Sequence, residues 1–318
     1  LLSINENNTN ISPLSQEVMS DPSIEISDKL AFYTFITQKK AMTSSETDQL
    51  LGILEKQHSD EPKVNVFLAE SYFGKNDLAK SVEYYEKAKE FDSDNFSYSH
   101  RLIELYYELD LYEKMADECD FLLEYFPSLA QVYLMSGIAH TQLGNENNAL
   151  IMLETAKSYA QGNPSLLLEI SFSLAELFYV MDEKDQANKM YETMLDENPY
   201  NARIYNNYAY LLAKTKSDLK KATELSQKAL ELEINEASYL DTYGYILFLK
   251  KEYTEARTYL EKALEINSSD ADILAHYGDV LYFLEMQAEA VIQWQKAADS
   301  GSQDPILLQK IKEKKYVE

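Results

Sequence analysis

The chain has 318 residues, a formal net charge of −25 and one cysteine, Cys119. That charge argues against a nucleic-acid backbone or an anionic membrane surface as partner, because phosphate neutralisation needs clustered Lys and Arg; a lone cysteine excludes an intrachain disulfide. Only 8 Gly and 7 Pro interrupt a sequence that is 45% hydrophobic and holds 25 Tyr, a composition for helix throughout with a continuous core. No stretch approaches the ~18 apolar residues of a membrane span.

Residues 1–27 read as a tail and lead-in: 1–12 are rich in Asn and Ser, and Asp21-Pro22 and Ser27-Asp28 are helix-start signals. Residues 28–61 read as one degenerate helical hairpin, with helices near 28–40 and 46–58. From residue 62 the sequence repeats with a period of 34. The period is clearest in 237–270 and 271–304. There position 7 is Tyr243 and Tyr277, position 8 Gly244 and Gly278, position 20 Ala256 and Ala290, position 24 Leu260 and Trp294, and position 27 Ala263 and Ala297. The same frame gives Leu68, Ala69, Tyr72, Tyr85 and Ala88 in 62–95, and Leu102, Tyr106, Cys119 and Pro127 in 96–129. It gives Gly137, Ala149, Leu153 and Ala156 in 130–167, which carries a four-residue insertion around Gly162-Asn163-Pro164. It gives Ala175, Ala187, Tyr191 and Pro199 in 168–201, and Ala209, Ala222 and Ala229 in 202–236, where the turn has one extra residue.

The physical content of the pattern is helix packing. Small residues at positions 8, 20 and 27 let two helices cross closely, and large residues at 7, 11 and 24 fill the space beside them. Acidic or Asn residues such as Asn201 and Asp270 close blocks where they can cap the next helix. Departures are local: Ile103 at position 8, Ser81 and Met115 at position 20, Ser226 at position 24. Residues 305–318 read as a last helix opened by Pro305. Leu307, Leu308 and Ile311 form a narrow apolar stripe beside Lys310, Lys312, Lys314 and Lys315, as suits a solvating cap on an open end.

These seven blocks over 62–304 resemble the tetratricopeptide repeat family. The resemblance implies an all-α fold, a right-handed α-solenoid or superhelix of helix–turn–helix repeats with a C-terminal capping helix, and a non-catalytic role in protein binding. The phrases NNYAYLLA, LDTYGYILF and HYGDVLYFL are further similar to bacterial cell-envelope repeat proteins of the Bacteroidetes type. That similarity implies a periplasmic or outer-membrane-associated protein with a lipid anchor upstream, the alternative being a cytoplasmic one.

No catalytic constellation stands out, and no cofactor or metal is implied. His58, His100, His140 and His276 lie in separate segments, and no metal-binding spacing, phosphate-binding glycine loop or nucleophile elbow occurs. Cys119 and His140 occupy packing positions and read as structural. The family resemblance places positions 2, 5, 6, 9, 12 and 13 of each first helix on a concave groove. Carried over, these are Glu176, Tyr179, Arg203, Asn206, Asn207, Tyr210, Asp241, Thr242, Tyr245, Phe248, His276, Asp279 and Tyr282. Phe283 joins them, and earlier blocks offer His100, Arg101, Glu104 and Tyr107, then Glu169 and Phe172.

A groove of this kind is aromatic, amide-bearing and acidic, and selects a protein or peptide that is neutral to basic and partly apolar. Capture of an acidic chaperone tail, a known use of the family, is disfavoured, because Asp241 and Asp279 stand where cations would be needed. Asn207, Asp241, Thr242, His276 and Asp279 are also placed to bond across neighbouring helices as a polar ladder. The reading is therefore an interaction scaffold or adaptor. Its alternatives are a structural self-assembly module and the non-catalytic arm of a larger multidomain protein.

Overall fold

The computed structural model describes residues 12–39, 42–302 and 304–317. Eighteen helices and no strand occur among the described residues. The fold is an all-helical solenoid of helix pairs, and it divides into two compact units, Leu1–Ser173 and Leu174–Glu318.

The first unit contains α1 (Ser12–Ser20), α2 (Ile26–Gln38) and α3 (Ser44–His58). Three helix pairs follow: α4 (Pro62–Phe73) with α5 (Leu78–Phe91), α6 (Phe96–Glu108) with α7 (Tyr112–Tyr125), and α8 (Ala130–Gln142) with α9 (Glu146–Tyr159). α10 (Pro164–Val180) runs through the division, and α11 (Lys184–Glu197) follows it. The second unit continues with α12 (Ala202–Lys214) and α13 (Leu219–Leu232), α14 (Ala237–Leu249) and α15 (Tyr253–Ile266), and α16 (Ala271–Phe283) and α17 (Gln287–Asp299). It ends in α18 (Pro305–Glu313).

Size complementarity sets the crossing inside each pair. A β-carbon at Gly244 would meet Leu260 Cγ at 2.8 Å, and one at Gly137 would meet Leu153 Cγ at 2.6 Å. Where position 8 is the bulky Ile103, position 24 is the small Cys119, and both are buried in one core cluster. Where position 24 is the small Ser226, position 8 is Ala209, and both are fully buried. The Ile103 departure is thus matched by a smaller residue at position 24, as close packing requires.

The turn inside each pair is closed the same way. Asn76, Asp110, Gly144, Asp182, Lys216, Lys251 and Glu285 all have φ between 51° and 71°, in the left-handed region. The next amide donates back five residues to the first helix, as from Glu252 N to Leu247 O at 2.9 Å and from Met286 N to Leu281 O at 3.0 Å. This bond satisfies a carbonyl that the helix end would leave open. At the other end Asn201 accepts from Ile204 N, and Asp270 from Asp272 N and Ile273 N, as helix caps.

Three features differ from the sequence-based expectation. α1 is a helix where only a lead-in was expected; at nine residues it is too short to stand alone. It is held by burial of Met19 in the core and by Gln16 Nε2 donating to Gln49 Oε1 of α3 at 2.8 Å. The tail expected over residues 1–12 lies, up to residue 11, outside the described residues. The insertion before residue 168 is one added helical turn: α10 starts at Pro164, and Asn163 Oδ1 accepts from Leu166 N at 3.2 Å. Finally, α18 stops at Glu313 because Lys314 turns left-handed, and Lys310, expected in solvent, is buried.

Candidate functional site

The second unit sets α12, α14 and α16 side by side, and most of the expected binding residues stand on these helices. Tyr210 of α12 lies 6.2 Å, ring to ring, from Tyr245 of α14; Tyr245 stacks on His276 of α16 at 4.5 Å and 20°. The structure therefore brings three rings from three successive first helices into one series. His276 Nδ1 donates to both oxygens of Asp241, at 2.9 and 3.1 Å.

A second cluster sits beside the first. Phe248 and Phe283 are 5.5 Å apart, Tyr253 stacks on Phe283 at 5.0 Å, and Tyr282 lies 5.7 Å from Phe283. Asp279 is buried and accepts from Trp294 Nε1 at 2.9 Å and from Lys310 Nζ at 2.8 Å. The expected polar ladder is thus one bond across helices, His276 to Asp241, plus an anchor for α18. Thr242 instead donates to Ser238 O within its own helix.

The remaining expected residues are distributed as follows. Glu176 is half-buried, and Tyr179 is buried with its hydroxyl donating to Asn188 Oδ1 at 2.6 Å. Arg203 is exposed, Asn207 half-buried, and Asn206 buried with an Oδ1 that has no hydrogen-bond partner among the described residues. Asp241, Thr242, Phe248 and Asp279 are buried rather than open to solvent: His276 covers Asp241, Trp294 and Lys310 cover Asp279, and Tyr253, Phe283 and Tyr316 pack on Phe248.

The electrostatics are acidic. Burial works against a charge on His276, but Asp241, Asp279 and Asp272 outweigh it and raise its pKa to about 9. Partial desolvation raises Asp272, with Asp241, Asp270 and Asp304 adding to the effect and His276 opposing it. Burial raises Asp279 against the pull of Lys310. The Tyr210 hydroxyl is also pushed up, first by desolvation and then by Asp272, Tyr245, Asp241 and Glu176.

Asp272, Tyr253, Lys310 and Tyr316 belong to this surface and escaped the sequence reading. Asp272 stands at position 2, a groove position of the repeat pattern, and was legible in principle. The other three lie outside the first helices, where the pattern assigns no binding role.

Other surfaces are separate from these residues. A cavity of about 820 Å³ between α13, α14 and α15 is lined by Leu230, Ile234, Tyr243, Tyr259 and Ile266, and contains none of the expected groove residues. In the first unit, Arg101 donates to Glu104 at 3.0 Å and lies over the Phe73 ring, beside a cavity of about 400 Å³ lined also by His100 and Tyr85. Cys119 is buried, and burial pushes its thiol pKa up. Among the described residues no group of three His, Cys, Asp or Glu could hold a metal ion, and no helix is long and apolar enough to cross a membrane.

Stacked helix pairs of this build define an α-solenoid. The model of the tetratricopeptide repeat matches residues 62–95 and 237–270. Hsp70-Hsp90 organizing protein 3 of Arabidopsis thaliana is 24% identical over 220 residues, which is 58% of this chain and 39% of that protein. The Hsp70-Hsp90 organizing protein of Triticum aestivum is 23% identical over 217 residues, 58% of this chain and 37% of that protein. The chain therefore spans well under half the length of these curated relatives.

Among solved structures, yeast Tom70 aligns with a TM-score of 0.62 at 18% identity, over 99% of this chain and 65% of that chain. A tetratricopeptide repeat protein from Parabacteroides merdae aligns with a TM-score of 0.57 at 14% identity, over 80% of this chain and 98% of that chain. These likenesses are of fold. They come from plants, yeast and a bacterium, and none assigns the chain to a cell envelope.

Proposed function

We propose that the chain is a non-catalytic adaptor whose 62–304 region is seven repeats, and that the α12–α14–α16 face holds an extended segment of a partner protein. The observation that carries this reading is the ring series Tyr210, Tyr245 and His276 across three successive helices. Aromatic side chains are anchors of low entropic cost, and a repeating row of them suits a ligand that runs across the repeats.

Charge sets the ligand class. Asp241 is paired with His276 and Asp279 with Lys310, so Glu176 and Asp272 supply the acidic character near Tyr210, and a neutral-to-basic, partly apolar segment is favoured over an acidic one. A chaperone-organising role, as the names of the plant relatives state for those proteins, would have to use a surface other than this one to hold an acidic tail. Residence in the periplasm or at the outer membrane is proposed from sequence resemblance alone, and fractionation of the native host tests it.

The test of the face is replacement of Tyr210, Tyr245 and Tyr282 together by Ala, followed by capture from native host extract. The expected result is loss of the captured partner with the helical circular-dichroism spectrum kept, since buried aromatic anchors each contribute about 2 kcal/mol or more. A folded triple variant that captures everything the parent captures overturns the reading. Self-assembly through another surface would then be favoured, and light scattering at several concentrations would measure it.

A further inference from the structure

The second aromatic cluster is already occupied. After α18 ends, Lys314 adopts φ 53° and ψ 35°, which turns the chain back onto the unit. Tyr316 then packs against Phe283 at 4.9 Å, Phe248 at 6.0 Å and Tyr282 at 6.4 Å, and Lys310 Nζ lies 4.7 Å from its ring centre. Two of these rings, Phe248 and Tyr282, are among the expected ligand-binding residues, and Phe283 is 39% exposed even with Tyr316 in place.

The chemistry of the occupying segment matches what the face selects. Lys310, Lys312, Lys314 and Lys315 precede Tyr316, so a basic run ends in an aromatic ring; Lys310 of that run reaches Asp279, and Lys315 pairs with Glu313. A lysine over an aromatic face adds an attraction that an acidic or aliphatic segment would lack. The segment is joined to α18 by a left-handed residue of non-glycine type, a conformation that costs about 1 kcal/mol or more. Six other non-glycine residues close turns of this chain the same way, so it is the ring contacts of Tyr316, not the turn, that mark the segment as docked.

We propose that residues 314–317 are an internal ligand. They fill an aromatic subsite built from Phe248, Tyr253, Tyr282 and Phe283, and the partner segment that displaces them carries the same chemistry, two or more basic residues followed by an aromatic one. The proposal rests on the reading of the α12–α14–α16 face as a peptide-binding face and names the chemistry of one subsite on it. Occupation by the chain's own segment raises the concentration of partner needed, because displacement opposes binding.

The test uses the full chain and a labelled synthetic peptide, KIKEKKYV, copied from residues 310–317. Tyr316→Ala should bind the peptide about ten-fold or more tightly than the parent, and Tyr316→Phe should behave like the parent. A peptide with its tyrosine replaced by alanine should bind neither, and adding Phe283→Ala to Tyr316→Ala should remove the gain. Equal binding by parent and Tyr316→Ala, including no binding by either, overturns the proposal.

Should Tyr316→Ala lose helicity, hydrogen exchange on the parent decides. Saturating peptide should speed exchange in 314–317, and unchanged or slower exchange refutes displacement. Failure here, with capture still lost in the Tyr210, Tyr245 and Tyr282 triple variant, removes the internal ligand and leaves the face. Capture undiminished in the triple variant removes the face itself.

Discussion

The indole of Trp294 fills the space that a β-carbon on Gly278 would need. A side chain there would press on the indole ring and come within 3.1 Å of Ala290 O, a backbone atom that cannot move alone. Gly278→Ala gains about 1 kcal/mol of helix propensity and loses about 1–3 kcal/mol to overpacking. The expected net result is destabilisation by up to about 2 kcal/mol in chemical denaturation. Gly52 of α3 is the contrast, since nothing lies within 4 Å of its missing β-carbon. Gly52→Ala should raise stability by about 0.5–1 kcal/mol. Equal effects at the two sites would show that the indole accommodates the methyl group.

Lys310 and Asp279 join α18 to α16. Both are buried, and Nζ stands 2.8 Å from each carboxylate oxygen. Lys310→Met would leave a buried carboxylate with Trp294 Nε1 as its remaining named donor. Removing one member of a buried pair costs about 3–5 kcal/mol, unless the element carrying it simply detaches. Lys310→Met should therefore lower stability by roughly 3–5 kcal/mol or, if α18 detaches, by less while exposing 305–317 to limited proteolysis. Asp279→Asn in the same chain should recover part of the loss. An unchanged denaturation midpoint with 305–317 still protected would show that apolar packing of Leu307 against the end of the unit is sufficient.

The repeat period made the helices legible because small and large residues at fixed positions report a crossing that must be the same in every pair. Ile103 and Ser226 looked like defects when each position was read alone. In the structure Ile103 is matched by the smaller Cys119, and Ser226 is fully buried beside the ordinary Ala209. The left-handed turn was not legible: only Gly144 among the seven turn residues is a glycine, and the others are Asn, Asp, Lys or Glu. Candidate site residues on the first helices could be named by position, but their partners could not. His276 finds Asp241 from the preceding repeat, and Asp279 finds Lys310 from a helix outside the repeats. Lys310 itself carried the signal of a solvated cap, since a lysine among lysines says nothing about which one turns inward.

The His276–Asp241 pair gives the second unit a definite dependence on pH. His276 has a folded-state pKa raised to about 9, against an ordinary value near 6.5. A group whose pKa is raised by folding contributes stability that is fully present below its unfolded pKa and is lost as pH rises through the folded one. The window is therefore about pH 6.5 to 9, and the pair stabilises on its acidic side.

One pKa unit corresponds to about 1.4 kcal/mol. The histidine side chain keeps 19% exposure, so solvent screens part of the interaction, and a contribution of about 1–2 kcal/mol is expected. Other groups titrate over the same range, so the quantity to measure is the stability of the parent minus that of His276→Gln, by denaturation at about pH 6 and about pH 10. That difference should shrink by about 1–2 kcal/mol on going to high pH, and Asp241→Asn should flatten it. A difference that stays constant, or grows with pH, would mean that His276 is neutral in the folded chain and serves the face only through its stack on Tyr245.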